Sequence, residues 1–393
     1  MNLKSITIVV SAIALTVGAS SCGKEGCTDK DALNFDEKAK KDNNTCEYDL
    51  GLSGAITENR TLLGDQTYTL SGGVHVKEGV TLTIESGATI KSNPDEAVAY
   101  LLIERGAKLI AEGTASNPIV FTSGSSSPKA GDWGGIIVCG KAPINKGTEA
   151  TAEVGDVLYG GTDANDNSGI LSYIRVEYSG NSINDEKQHN GFTFNGVGDG
   201  TTVEFLESYY GNDDGFEFFG GTVNASNLVS VGSGDDCFDW TYGWTGSGSN
   251  WIAKQVSGIG DRGIEADNQS GANDAAPFSN PTLINVTLTG QGVAAGTDGI
   301  KLREGTMGNL SNVLITGFRD AVEIEHAVTV KHAISGDLSL SNITSSDATT
   351  VWAIKGAETE SDSTAAATAI SPAFGTSATG SSTDWTTGWT VGL

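Results

Sequence analysis

Gly191-Phe192-Thr193-Phe194, Gly215-Phe216-Glu217-Phe218, Cys237-Phe238-Asp239-Trp240, Gly263-Ile264-Glu265-Ala266, Gly299-Ile300-Lys301-Leu302 and Ala321-Val322-Glu323-Ile324 repeat one pattern. Each opens on a small residue, puts apolar residues second and fourth, and places a polar or charged residue third. Apolar residues two apart around a polar one describe a strand with one buried face. The steps between starts are about 24, 22, 26, 36 and 22 residues, the period of a stacked solenoid coil. The long step contains Ser270-Gly271-Ala272-Asn273-Asp274-Ala275-Ala276-Pro277, a loop insertion.

A second ladder runs between these strands. Asn227-Leu228-Val229, Asn250-Trp251-Ile252, Asn285-Val286-Thr287, Asn312-Val313-Leu314 and Asn342-Ile343-Thr344 each set Asn before an apolar strand. Stacked Asn side chains hydrogen-bond amide to amide along a parallel stack. Two ladders at this period predict an all-β fold, a right-handed parallel β-helix over residues 51–393. A β-propeller needs blades of about 40–45 residues and does not fit. The alternation continues toward the N-terminus in Val80-Thr81-Leu82-Thr83-Ile84, Leu101-Leu102-Ile103 and Ala107-Lys108-Leu109-Ile110-Ala111.

Composition agrees. The chain has 393 residues, with Gly 53 against Pro 7, so its turns are built by Gly, Asn and Asp. Lys and Arg total 23 against 49 Asp and Glu, a net charge of -26. That balance excludes a nucleic-acid partner, which needs a basic footprint.

Residues 1–21 read as a signal peptide: Lys4 precedes an apolar run, Ile6 to Val17, too short to cross a bilayer. Ala19-Ser20-Ser21-Cys22 resembles a bacterial lipobox, which implies lipidation of Cys22 and a membrane partner through that anchor. Residues 22–50 then form a short acidic linker bounded by Cys27 and Cys46, and an exported chain favours a disulfide between them. Asp29, Asp31, Asp36 and Asp42 supply oxygens for a possible Ca2+ site, with a solvated acidic stalk as the other reading. Cys139 and Cys237 read as free buried thiols.

Glu78-Gly79-Val80-Thr81-Leu82-Thr83-Ile84-Glu85, Gly131-Asp132-Trp133-Gly134-Gly135-Ile136, Asp213-Asp214-Gly215-Phe216-Glu217-Phe218-Phe219-Gly220-Gly221-Thr222 and the closing Trp385-Thr386-Thr387-Gly388-Trp389 resemble a family of Bacteroidetes-type β-helix lipoproteins. The resemblance implies a pectate-lyase-like superhelix on the outer membrane, exposed at the cell surface. It implies no settled activity, since fold does not fix function.

Inward apolar residues leave Glu217, Asp239, Glu265, Lys301 and Glu323 pointing outward on one face. On parallel strands about 4.8 Å apart these side chains form a stripe with nothing positive before Lys301. Like charges so placed bind a cation, raise one another's pKa or splay into water, so this stripe is the candidate ligand-binding face. Asn212-Asp213-Asp214-Gly215 and Gly234-Asp235-Asp236-Cys237 resemble two motifs of the polygalacturonase family. That resemblance implies catalytic roles for Asp214, Asp235 and Asp236, and a carboxylate-binding role for Lys301. The family's Gly-His-Gly is missing: Asp261-Arg262-Gly263 stands in its place. Phe219, Trp240, Tyr242 and Trp244 lie near the stripe and offer rings for sugar stacking where they face outward, while inward rings, Trp240 among them, are core.

Two functions follow. The preferred one is a surface lipoprotein with a binding or structural role, holding glycan, or another extracellular ligand such as a surface protein, on the acidic face. The other is a carboxylate-based polysaccharide hydrolase or lyase, against which the incomplete catalytic set argues.

Overall fold

The computed structural model describes residues 23–30, 32–184 and 188–393. The chain divides into two compact units after residue 50. In the larger unit 24 strands join a single sheet. Its strands pair in parallel from one coil to the next, so the sheet winds into a β-helix.

One stack consists of short strands, and the repeat in the sequence is its rungs. Thr193 pairs with Glu217, Glu217 with Asp239, Asp239 with Glu265, Glu265 with Lys301 and Lys301 with Glu323. The insertion at residues 270–277 leaves this register intact. Inside the coil, Phe192 stacks on Phe216 with ring centroids 5.1 Å apart, and Phe216 on Phe238 at 5.6 Å. All three are fully buried. Each such side chain contributes about 1.5–3 kcal/mol of hydrophobic stabilisation, and the offset rings add to it.

The other stack consists of longer strands that bend. Tyr173, Phe205, Asn227, Asn250, Asn285, Asn312 and Asn342 occupy successive bends, all with φ between 51° and 59°. Asn tolerates this left-handed conformation better than most residues because its short side chain bonds locally. The Nδ2 atoms of Asn285, Asn312 and Asn342 donate to the Oδ1 atoms of Asn250, Asn285 and Asn312 at 3.1, 2.8 and 3.1 Å. The ladder expected from the sequence is present, with one correction. Each Asn sits within a strand and turns it, where the sequence pattern put it before the strand. At the two earlier bends Tyr173 and Phe205 stack at 4.3 Å, and Trp389 meets both rings edge-on. The C-terminal tail thus runs back along the bends: Thr379 N–H donates to Asn312 and Ser381 N–H to Thr287, each at 2.9 Å.

Three features lie outside the sequence expectations. Helices α1 (Ala327–Ser335) and α2 (Glu360–Ile370) follow the last two short strands. Between the strands Ile136–Cys139 and Gly169–Glu177 the chain makes a small antiparallel hairpin, Ala150–Thr151 with Leu158–Tyr159. Its Ala152, Val154 and Tyr159, with Ile144, pack on Leu102, Ile137, Cys139 and Phe219. The hairpin therefore roofs the outward face of the early coils and ends the groove there.

In the smaller unit Cys27 and Cys46 form the expected disulfide. Cys139 and Cys237 are free and buried.

Candidate acidic site

The outward column of the short-strand stack runs from Ala55 and His75 to Leu102 and Ile137, the last two under the hairpin, and emerges through Thr193 at Glu217 and Asp239. Here the face becomes the floor of a cavity of about 220 Å³. The turn before the Phe216–Phe219 strand supplies Asp213 and Asp214, and the next turn supplies Asp235. Glu153 comes from the hairpin, and Gln188 and Asn190 from the turn before Phe192. Among the described residues no Lys or Arg lines this cavity.

The carboxylates are positioned from outside. Asn190 Nδ2 donates to Glu217 Oε2 at 2.5 Å and to Thr193 Oγ1 at 3.2 Å. With its amide nitrogen facing Asp213, Gln188 donates to both carboxylate oxygens at 2.7 and 2.6 Å. Asp236 N–H donates to Asp214 Oδ1 at 2.9 Å, and Arg262 N–H to Asp236 Oδ1 at 2.7 Å. The acidic turns are thus braced rung to rung by the main chain. Oxygens of Asp213, Asp214 and Asp235 lie within 4.8 Å of one another, as do those of Asp214, Glu217 and Asp239.

Burial, joined by repulsion among these groups, makes them hard to ionise. Burial first, then the Asp235 charge, pushes Asp213 up to about 7. Burial and then Asp213 push Asp214 well above the usual carboxylate range. Burial also dominates the upward shifts of Glu217, where Glu153 adds to it, and of Asp239, where Glu217 adds to it. Oδ1 of Asp239 is enclosed and has no hydrogen-bond partner. Carboxylate oxygens at this spacing are a hard-ligand set: two ligands on one Ca2+, each about 2.3–2.6 Å from it, come to lie up to roughly 5 Å apart. Asp214, Glu217 and Asp239, with Asp213 and Asp235 beside them, suit a hard divalent cation.

Farther along the column the stripe changes character, and several expectations need correction. Glu265 is clamped by Arg262 at 2.7 Å and Arg303 at 2.5 Å, so positive charge arrives before Lys301. Both arginines sit beside the column, one before it and one after it, so the column pattern alone does not show that they reach Glu265. Lys301 pairs with Glu323 at 3.2 Å and Glu325 at 2.9 Å, so its ammonium is already engaged and is not set to hold a ligand carboxylate. Glu323 is fully buried between Lys301 and Lys355 and does not face a ligand. The ligand-facing part of the stripe therefore contracts to Glu217 and Asp239. Of the three aspartates taken from the polygalacturonase resemblance, Asp214 and Asp235 line the cavity. Asp236 is 2% exposed, lies beneath it and pairs with Arg262 at 3.6 Å. Trp240, Trp244 and Phe219 are buried and form no sugar platform, because they pack into the two cores. Asp213, Glu153, Gln188 and Asn190 were not expected. Asp213 stands inside the quoted Asn-Asp-Asp-Gly turn, the one signal that pointed to it.

In the smaller unit the proposed Ca2+ ligands do not converge among the described residues. Asp29 accepts from Tyr48 OH at 2.7 Å, Asp36 from Lys38 N–H at 3.0 Å while pairing with Lys24, and Asp42 from Asn44 N–H at 2.8 Å. Asp31 and the lipidation residue Cys22 lie outside the described residues.

No curated protein and no solved structure matches the chain. The sequence model of the family described as pectate-lyase like beta helix domain matches residues 54–390, most of the chain. With its parallel coils stacked over that span, the chain belongs to the pectate-lyase-like β-helix family.

Proposed function

We propose that this protein is a surface lipoprotein whose β-helix binds an extracellular polysaccharide at the acidic cavity through a divalent cation, Ca2+ being the ion its oxygen donors suit. One observation carries the reading: Asp213, Asp214, Glu217, Asp235 and Asp239 converge on a cavity whose described lining holds no Lys or Arg. Buried like charges are tolerated when a proton or a cation neutralises them. Ca2+ retains open coordination positions for ligand oxygens, so hydroxyl or carboxylate groups of a glycan complete the shell. Membership of the β-helix family supports a polysaccharide-related role. Binding is favoured over hydrolysis because Asp236 lies beneath the cavity, paired with Arg262, and Asp261-Arg262-Gly263 stands where the hydrolase resemblance would need a histidine. Anchoring through Cys22 to the outer membrane, facing outward, would present the cavity to such a ligand.

A polysaccharide array probed with and without Ca2+, paired with a reducing-sugar assay, tests this. The reading expects binding that EDTA abolishes and no release of reducing ends. Cleavage that disappears in Asp214→Asn or Asp235→Asn would replace it with the hydrolase or lyase reading. An array on which nothing binds in Ca2+ refutes it.

A further inference from the structure

Across the hairpin from the acidic cavity lie two adjoining cavities of about 310 and 260 Å³ that share Glu78 and Arg105. We infer that they form a second saccharide subsite, selective for an uncharged sugar unit. This deepens the polysaccharide reading and rests on it. The hairpin is the partition: Glu153 faces the acidic side, while Glu149, Leu158 and Gly160 face this one.

The chemistry of the two sides differs. Here every cation has an anion beside it. Lys77 pairs with Glu104, Arg105 with Glu149, and Lys141 with Glu78 at 3.2 Å. Arg105 also donates to Gly160 O at 2.9 Å. A charged ligand would have to break one of these pairs and leave an ion unmatched. A sugar hydroxyl accepts from the cation and donates to the carboxylate at once, so neighbouring hydroxyls fit such pairs without disturbing their charge balance. Leu158 is 48% exposed at the rim and offers an apolar surface to the C–H face of a ring. The strand Tyr100–Ile103 lies three rungs from Phe216–Phe219, roughly 14 Å along the axis at about 4.8 Å per rung. One glycan chain passing over the hairpin would reach both sides of it.

The test is calorimetric titration of the full chain with two probe sets, neutral glucan, galactan and mannan oligosaccharides in EDTA, and galacturonan oligosaccharides in Ca2+. The inference expects a neutral oligosaccharide to bind in EDTA, with affinity lowered about tenfold or more by Leu158→Asp and by Lys141→Ala. Leu158 is exposed and Lys141 partly exposed, so their replacement leaves the fold in place, which an unchanged melting temperature checks. Neutral binding indifferent to both substitutions overturns it. So does a protein that binds galacturonan in Ca2+ but no neutral oligosaccharide in EDTA, an outcome that leaves the acidic-cavity reading standing. Failure of both probe sets overturns that reading and this one together.

Discussion

Replacing Glu217 by Gln separates the cost of the acidic cavity from its use. Oxygens of Glu217 lie within 4.8 Å of oxygens of Asp214 and Asp239. Two full charges at that distance and an effective dielectric near 20 repel by about 3.5 kcal/mol before screening. Proton uptake by groups whose pKa burial has raised absorbs part of this, leaving a net gain of about 1–3 kcal/mol on removing one charge. Gln keeps an oxygen for Asn190 Nδ2 to donate to, so the contact at 2.5 Å loses its charge and not its geometry. In EDTA at neutral pH, Glu217→Gln should therefore melt a few degrees higher than the wild type. Ca2+ at a hundredfold excess over its dissociation constant should stabilise the wild type by about 2.7 kcal/mol. The variant, short of one ligand charge, should lose most of that increment. Thermal melts of both proteins in EDTA and in Ca2+ give the four values needed. Equal Ca2+ increments in the two proteins, or none in either, would refute the reasoning.

Three other outcomes are expected. Asn312→Ala should cost about 2–4 kcal/mol in urea unfolding, through lost amide bonds and a left-handed φ of 53°, while Asn312→Gly, which relaxes the backbone, should lose clearly less; equal losses would show that backbone strain plays no part. Glu207 is fully buried, and burial pushes its carboxyl from 4.5 to about 8 even as Val391 N–H donates to it. The folded state therefore holds a proton that the unfolded chain releases, so its stabilising contribution is complete below about pH 4.5 and is lost as pH rises toward 8, by at most about 4–5 kcal/mol; Glu207→Gln should flatten that decline in melting temperature, and parallel pH profiles would contradict it. Cys22→Ala should move the protein from the membrane to the soluble fraction, and unchanged partition without lipid by mass spectrometry would contradict the anchor.

Much of the fold was legible because its information is local. Alternation in Gly215-Phe216-Glu217-Phe218 and its fellows sets which face is buried, and the shared four-residue pattern sets the register whatever the length of the step between. The Asn ladder was visible as a period, but its place within a bend was not, since a left-handed φ leaves no mark on hydropathy. Helix α1 was hidden because Ala327-Val328-Thr329-Val330 carries no amphipathic stripe and is rich in β-branched residues. The carboxylate column itself could be placed from sequence. Its burial could not, because Glu153, Gln188 and Asn190 come from segments far from Glu217 in the chain and only the solenoid brings them together. The arginine clamp on Glu265 was missed for a related reason. Arg303 reaches across from the next rung, a contact that register permits but residue type does not announce.

The central claim, that the acidic cavity holds a divalent cation, is tested most directly by a crystal structure of the protein grown with Ca2+ and measured for anomalous scattering. The account predicts one peak in the cavity, about 2.3–2.6 Å from oxygens of Glu217 and Asp239 and at least one of Asp213, Asp214 and Asp235. A cavity with no peak at millimolar Ca2+, its carboxyl groups bonded to one another through shared protons, would contradict it.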